Sequence, residues 1–300
     1  MEAQALLFAN CHNHSLFSDG VYTPEQLAAM AKTAGYGGFI LTDHDTVRGY
    51  PFMERAAKQH GLLTMLGCEF TTRQWGECIH LLGFDFDPEH PDMRELLHLG
   101  AQKQITRTEF MFHAAQEAGT LKPGVTWQEV LDAFPHNDYL CNNQVFEVYL
   151  AKGLYTIPEY DDFCMNNFSY RLPASKLAKE QFHLPSPSTA DVVEIIKRAG
   201  GVPVVAHPCE PPLTDYADAL LQMGVMGFEV IYPTMSREQI AFFDAFCTEH
   251  NLYKCGGTDH QGPLGGYLER CPNDPSYDID PMTGGMTEAE FMKLYRRELG

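Results

Sequence analysis

The fold turns on Cys11-His12-Asn13-His14-Ser15-Leu16-Phe17-Ser18-Asp19-Gly20, followed one predicted helix later by Phe39-Ile40-Leu41-Thr42-Asp43-His44-Asp45. Side chains two apart on a strand share a face, so His12 and His14 can grip one cation together. Asp19 lies in the turn just beyond them. His44 ends the next apolar run, and a parallel neighbouring strand would deliver its imidazole beside the first pair. A lone His-x-His is a weak signal; its company gives it weight.

Working outward, Leu6-Leu7-Phe8 leads into the His pair as a short strand. Thr23 then reads as a helix N-cap with Pro24 at the first helical position and Gly35 as the stop. Further strands are expected at Gly38 to Thr42, Leu62 to Leu66 and Cys78 to Phe84, with a helix from about Phe52 to His60. From about Asp92 to Ser188 the texture changes to helical pieces without a clear strand. The β-then-α rhythm resumes with strands at Val202 to Ala206, Gly227 to Tyr232 and Leu252 to Cys255. Such alternation argues for an α/β fold with a parallel sheet, and seven strands favour a closed or nearly closed barrel. The expected organisation is a barrel from residues 1–91 and 189–300, with 92–188 as a helical insertion over the active site. The Gly262 to Gly285 loop is expected to lie over that site, ahead of a terminal helix.

The chain has 300 residues and a formal charge of −19, which argues against a surface that tracks a long nucleic acid. No apolar run reaches the roughly 20 residues of a membrane helix and no signal peptide is evident, so a cytoplasmic protein without a membrane partner is expected. Nine cysteines at irregular spacing suggest neither a disulfide framework nor a thiolate zinc site.

The candidate ligands gather after apolar runs: His12, His14, Asp19, His44, Glu69, His80, His207, Asp259 and His260. In parallel α/β folds the C-terminal strand edge is where sites are built. Imidazole and carboxylate donors suit zinc, manganese or iron, and nine exceed the needs of one ion, so two or three divalent ions are expected. Such a centre favours a small anionic ester, clamped by the metals while one of them activates water to hydroxide. Glu69, the sole glutamate of the set, is the expected bridging carboxylate.

These motifs, with Gly67-Cys68-Glu69, Ala206-His207-Pro208, Gly227-Phe228-Glu229-Val230 and Gly257-Thr258-Asp259, resemble those of the polymerase and histidinol phosphatase (PHP) superfamily, and within it the stand-alone metal-dependent phosphoesterases. The resemblance implies a distorted (β/α)7 barrel with a helical insertion and a hydrolase of phosphate esters. It implies one ion on His12, His14, Glu69 and Asp259, a second on Asp19, His44 and His260, and a third on Glu69, His80 and His207. Glu69 and His207 would then be the catalytic residues, with His207 or a metal-bound water protonating the leaving group.

Two departures stand out. Asp259 and His260 are adjacent where the family spaces them by one residue. The insertion reads Cys141-Asn142-Asn143-Gln144 where relatives carry a Gly-Arg-Pro-His-like stretch, so an arginine fork for phosphate is missing there. Asn142 and Asn143, with Lys103, Arg107 and Arg171, are the substrate-binding candidates, though the three cations also read as solvated helix surface. Phe110, Phe112, Trp127, Phe134, Tyr139 and Tyr149 could stack on a base, but helical spacing favours core. The expected reaction is phosphate release from a small phosphomonoester, a nucleotide or nucleoside bisphosphate. An amidohydrolase-like or cyclic phosphodiester hydrolase, or a non-catalytic metal-binding module, are the alternatives.

Overall fold

A computed structural model describes residues 7–168, 186–262 and 284–299. Arg171 and most of the 262–285 loop therefore lie outside the described residues. Helix α1 (Pro24–Thr33) starts as its sequence dictates: Thr23 accepts from the Gln26 N–H, and the Gln26 side chain closes a capping box on the Thr23 N–H. It buries Leu27, Ala28 and Ala31. Helix α2 (Tyr50–His60) ends at Gly61, whose φ of 68° is the left-handed conformation a helix stop requires.

The strands form two sheets. Strands β1 (Ala9–Asn10) and β2 (Gly38–Phe39) pair in parallel. The larger sheet has the order β3 (Gly67–Gln74), β4 (Glu77–Phe84), β5 (Val202–Val205), β6 (Gly227–Ile231), β7 (Tyr253–Gly256). Single bridges link the edges, Gly38 to Leu63, His44 to Glu69 and Asn13 to His260. The fold is mixed α/β, and the described residues form no closed barrel.

The departure from an all-parallel sheet lies in β3 and β4. The third strand starts at Gly67, after the Leu62 to Leu66 run, and continues to Gln74. It then reverses over Trp75 and Gly76, so that β4 runs antiparallel to both β3 and β5, while β5, β6 and β7 are parallel. A two-residue turn leaves no room for a crossover helix, which parallel neighbours need. His12 and His14 also lie beyond the end of β1 rather than within it. Their segment stays fixed by backbone bonds from Thr42 N–H to Asn13, from His14 N–H to His260 and from Asp259 N–H to His12.

One core lies between the large sheet and helices α7 (Thr189–Arg198), α8 (Ala217–Met223) and α9 (Arg237–Glu249), where Phe70, Leu81, Ile196, Leu220 and Phe243 pack. A separate cluster forms among α3 (Pro91–Ala118), α4 (Trp127–Ala133), α5 (Asn142–Ala151) and α6 (Tyr160–Asn167). Phe112, Trp127 and Tyr149 belong to that cluster and Phe110 and Phe134 pack against it, as their spacing suggested. Tyr139 sits instead with Ala101 and Cys141, its ring 6.3 Å from that of His44. Helix α10 (Glu288–Tyr295) closes the described chain against β7. No helix among the described residues is long and apolar enough to cross a membrane.

Candidate metal centre

The site is assembled where β3, β4, β5 and β7 meet the segment after β1. Alternation along the hairpin puts Glu69, Thr71 and Arg73 of β3 on one face, and the register sets His80 opposite Thr71 and Cys78 opposite Arg73. Two glycines permit the close approach of the remaining segments. A Cβ on Gly257 would stand 2.4 Å from the Cβ of His12, and one on Gly20 would stand 2.3 Å from the carbonyl oxygen of His14.

Glu69 is fully buried at the centre. Its Oε2 lies 3.0 Å from His12 Nε2, 3.0 Å from His14 Nε2 and 3.4 Å from His44 Nδ1. Its Oε1 lies 2.8 Å from His80 Nδ1 and 3.1 Å from His207 Nε2, and those two nitrogens are 3.2 Å apart. Asp259 Oδ1 approaches His14 Nε2 to 2.9 Å and His12 Nε2 to 3.6 Å. Asp19 reaches His14 Nδ1 at 3.3 Å and His44 Nε2 at 3.6 Å. Three overlapping groups of converging donor atoms result: His12, His14, Glu69 and Asp259; His14, Asp19 and His44; and His44, Glu69 and His80.

These donors fit divalent ions. Tetrahedral ligands at about 2.1 Å from a cation stand roughly 3.4 Å from one another, close to the spacings of the first group. The orphaned atoms say the same. His14 Nε2 and His44 Nδ1 are buried and form no hydrogen bond of acceptable geometry, although carboxylate oxygens lie within 3.4 Å. Nitrogen lone pairs and oxygens thus face shared points instead of each other, an arrangement that costs free energy unless a cation occupies it.

Charge tells a consistent story. Burial pushes His12 and His14 down, but Glu229, Glu69 and Asp259 raise His12 well above its ordinary value, and Asp19, Asp259 and Glu69 lift His14 to about 10. His80 is raised against its burial, chiefly by Glu69. Burial wins at His44, which is lowered. Burial opposes ionisation of Glu69, yet the His44, His12 and His80 imidazoles hold it well below the usual carboxylate range. Without cations, protons on imidazoles balance the carboxylates.

His260 joins none of the three groups. Its carbonyl accepts from the His14 N–H and its ring stacks on Tyr22 with centroids 5.9 Å apart. Asn143 and Gln144 hold the loop that carries Asp19. Asn143 Nδ2 donates to the Asp19 carbonyl, and Gln144 Nε2 donates to the carbonyls of Ser18 at 2.5 Å and Leu16 at 3.2 Å. Asn142 Nδ2 donates to Tyr160 Oη at 3.2 Å. Lys103 donates to Ser186 Oγ, and burial lowers it while Arg73 and Arg107 add to the lowering.

Three buried or facing residues were not anticipated. Glu229, fully buried in β6, accepts from His12 Nδ1 at 3.0 Å and from the His207 backbone N–H at 2.6 Å. Asp43 accepts from the Ser15 N–H at 2.7 Å, Ser15 Oγ at 2.8 Å and Ser18 Oγ at 2.8 Å, which fixes the turn before Asp19. Arg73 faces the site from β3, one row beyond His80. A charged glutamate inside the apolar run of β6 was the available signal for the first, and its place directly before His44 for the second; Arg73 carries none in sequence. Backbone strain also collects here, with Asp45, His207 and Asp259 at φ of 50°, 25° and 51°.

Residues 10–144 match the PHP domain. The chain is 26% identical over 261 residues to a 5'-3' exoribonuclease of Haemophilus influenzae, covering 85% of this chain and 90% of that one. It is 26% identical over 268 residues to a 3',5'-nucleoside bisphosphate phosphatase of Chromobacterium violaceum, covering 84% and 86%. Among solved structures, one described as a metal-dependent phosphoesterase from Bifidobacterium adolescentis superposes with a TM-score of 0.77 over 98% of both chains at 23% identity, a likeness of fold.

Proposed function

We propose that this chain, whose residues 10–144 match the PHP domain, is a metal-dependent phosphoesterase that releases phosphate from a small phosphomonoester, a nucleotide or nucleoside bisphosphate. The observation that carries this reading is the placement of both Glu69 carboxylate oxygens between two sets of imidazoles, His12 and His14 on one side and His80 and His207 on the other. A lone structural ion needs no such bridge.

In this reading His12, His14, Glu69 and Asp259 hold one ion, His14, Asp19 and His44 surround a second, and Glu69, His80 and His207 hold a third. Zinc, manganese or iron there supplies Lewis-acid polarisation of the phosphoryl oxygens and lowers the pKa of water. The chain's own residues do the orienting. Glu229 takes the Nδ1–H of His12 and so turns Nε2 toward Glu69. The Glu210 carbonyl, 3.2 Å from His207 Nδ1, does the same for His207, leaving Nε2 to face the site. Because that nitrogen cannot both ligate and carry a proton, we assign it to holding the ion. Lys103 and Arg107, with Arg73 beside them, supply positive charge near His80 in place of the missing arginine fork, and Asn142 and Asn143 line the neighbouring insertion, residues 92–188.

A second reading is favoured by the exoribonuclease relative: cleavage of a phosphodiester at the end of a short oligonucleotide. The experiment is a panel of nucleoside 3',5'-bisphosphates, 5'-phosphorylated short RNA and a cyclic phosphate, with inorganic phosphate and mononucleotides quantified separately. Phosphate from the bisphosphate supports the first reading; mononucleotide release from RNA without free phosphate replaces it with the second.

A further inference from the structure

The tip of the β3–β4 hairpin breaks a local rule. Gln74 pairs with Glu77 across only Trp75 and Gly76, both with positive φ, 54° and 87°. Turns of this kind favour Asn-Gly or Asp-Gly, because a left-handed backbone crowds a Cβ, and a bulky aromatic at the first position is strained. The core gains little from that strain. Trp75 is 39% exposed, and its ring stacks on Tyr216, itself 40% exposed, with centroids 4.4 Å apart and planes inclined by 22°. Strain held at a surface position points toward function.

Both aromatics sit on segments that lead out of the candidate metal centre. The hairpin carries Glu69 and His80, and Tyr216 lies in the loop that begins at His207. From the Thr71–His80 pair to the Gln74–Glu77 pair is three residues, about 10 Å at a strand's rise of roughly 3.4 Å each. That is comparable to the reach of a nucleotide from its phosphate to its base. Arg73 lies between, on the face that carries Glu69 and His80, and its Nη1 donates to the Gly76 carbonyl at 3.3 Å, which sets a cation at the hairpin tip beside Trp75.

We infer that Trp75 and Tyr216 form a stacking platform for the nucleobase of a nucleotide whose phosphate sits at the metal centre, an inference that rests on the phosphoester reading. Tyr216 covers part of the indole and fixes its plane. The exposed remainder offers a flat π-surface, which every base can use without hydrogen-bond readout, so the platform selects nucleotides over sugar phosphates without choosing among bases.

The test is equilibrium binding of AMP and of ribose 5-phosphate to the metal-loaded protein, with the ligand checked for integrity after each titration. Wild type is expected to bind AMP roughly ten-fold or more tightly than ribose 5-phosphate. Trp75→Ala should bring that ratio to about one while leaving ribose 5-phosphate binding unchanged, Trp75→Phe should keep most of it, and Tyr216→Ala should reduce it. Retention of the ratio in Trp75→Ala, or no preference or no AMP binding in wild type at millimolar concentration, would overturn the platform. A base preference in a protein that hydrolyses no phosphoester would sink the reaction and leave the platform standing; turnover without base preference would do the reverse.

Discussion

Glu229 Oε2 lies 3.0 Å from Nδ1 of His12, both side chains fully buried and 217 positions apart in sequence. The carboxylate fixes the tautomer of the imidazole that faces Glu69, and through the His207 N–H it ties the end of β5 to the same point. Removing it should loosen two ligands at once. Glu229→Ala is expected to weaken metal binding by roughly 10- to 100-fold, with Glu229→Gln intermediate, as read by competition with a chelating dye.

Metal loading should release protons. Against the opposing pull of burial, the neighbouring carboxylates raise His12, His14 and His80 above the ordinary imidazole value when no cation is bound, His14 to about 10. Cations must displace protons from these imidazoles. Calorimetric titration of the chelator-treated protein near pH 7.5 should show about one or more protons released per ion, seen as a heat that depends on the buffer's ionisation enthalpy. A buffer-independent heat would contradict the charge balance described for the site.

The hold on the Asp19 loop is a separate test. Gln144 is fully buried and serves the carbonyls of Leu16 and Ser18. Gln144→Ala leaves Leu16 with its Asn137 Nδ2 donor at 2.6 Å and Ser18 with only the weak Cys141 Sγ donor at 3.8 Å, and it removes the Oε1 that accepts from the Cys141 N–H, with an expected loss of about 1–3 kcal/mol in stability by denaturant titration. It should also weaken the ion beside Asp19 and His44 more than the one beside His80 and His207.

Glu147 gives a pH dependence away from the site. Burial raises it from 4.5 to about 7. The folded chain therefore keeps a proton that the unfolded chain gives up, so this group's contribution is fullest below pH 4.5 and is lost as pH rises toward 7. Glu147→Gln should stabilise the fold at pH 8, by an amount on the order of 1 kcal/mol after discounting for partial exposure and seen as a higher Tm, and change little at pH 4.5. Thermal melts at the two pH values decide it.

Most of the donors that converge on Glu69 were legible because they follow an apolar run or a turn, the pattern of a strand end, while His80 lies within β4; the helical segment was legible because no strand period interrupts it. The hairpin was not. Trp75-Gly76 lacks the Asn-Gly or Asp-Gly chemistry that marks a two-residue turn, so β3 and β4 read as separate parallel strands. Glu229 hid for a related reason: an acid flanked by Phe228 and Val230 alternates as a half-exposed strand residue would, and only the fold reveals that its face meets His12. His260 entered the expected ligand set from its strand-end position and a family pattern that spaces acid and imidazole by one residue; here the two are adjacent, Asp259 has a φ of 51°, and the three converging groups are formed without His260.

The central claim is that donors on β3 and β4 and in the segments that follow β1, β2, β5 and β7 converge on a cluster of cations built around Glu69. Metal content by mass spectrometry, with phosphate release from a nucleoside 3',5'-bisphosphate measured on the same samples, tests it most directly. The account predicts two or three ions per chain in wild type, loss of ions and turnover together in Glu69→Ala with the fold retained by circular dichroism, and recovery of chelator-treated wild type on adding back manganese or zinc. A preparation free of metal that hydrolyses the bisphosphate at the full rate would contradict it.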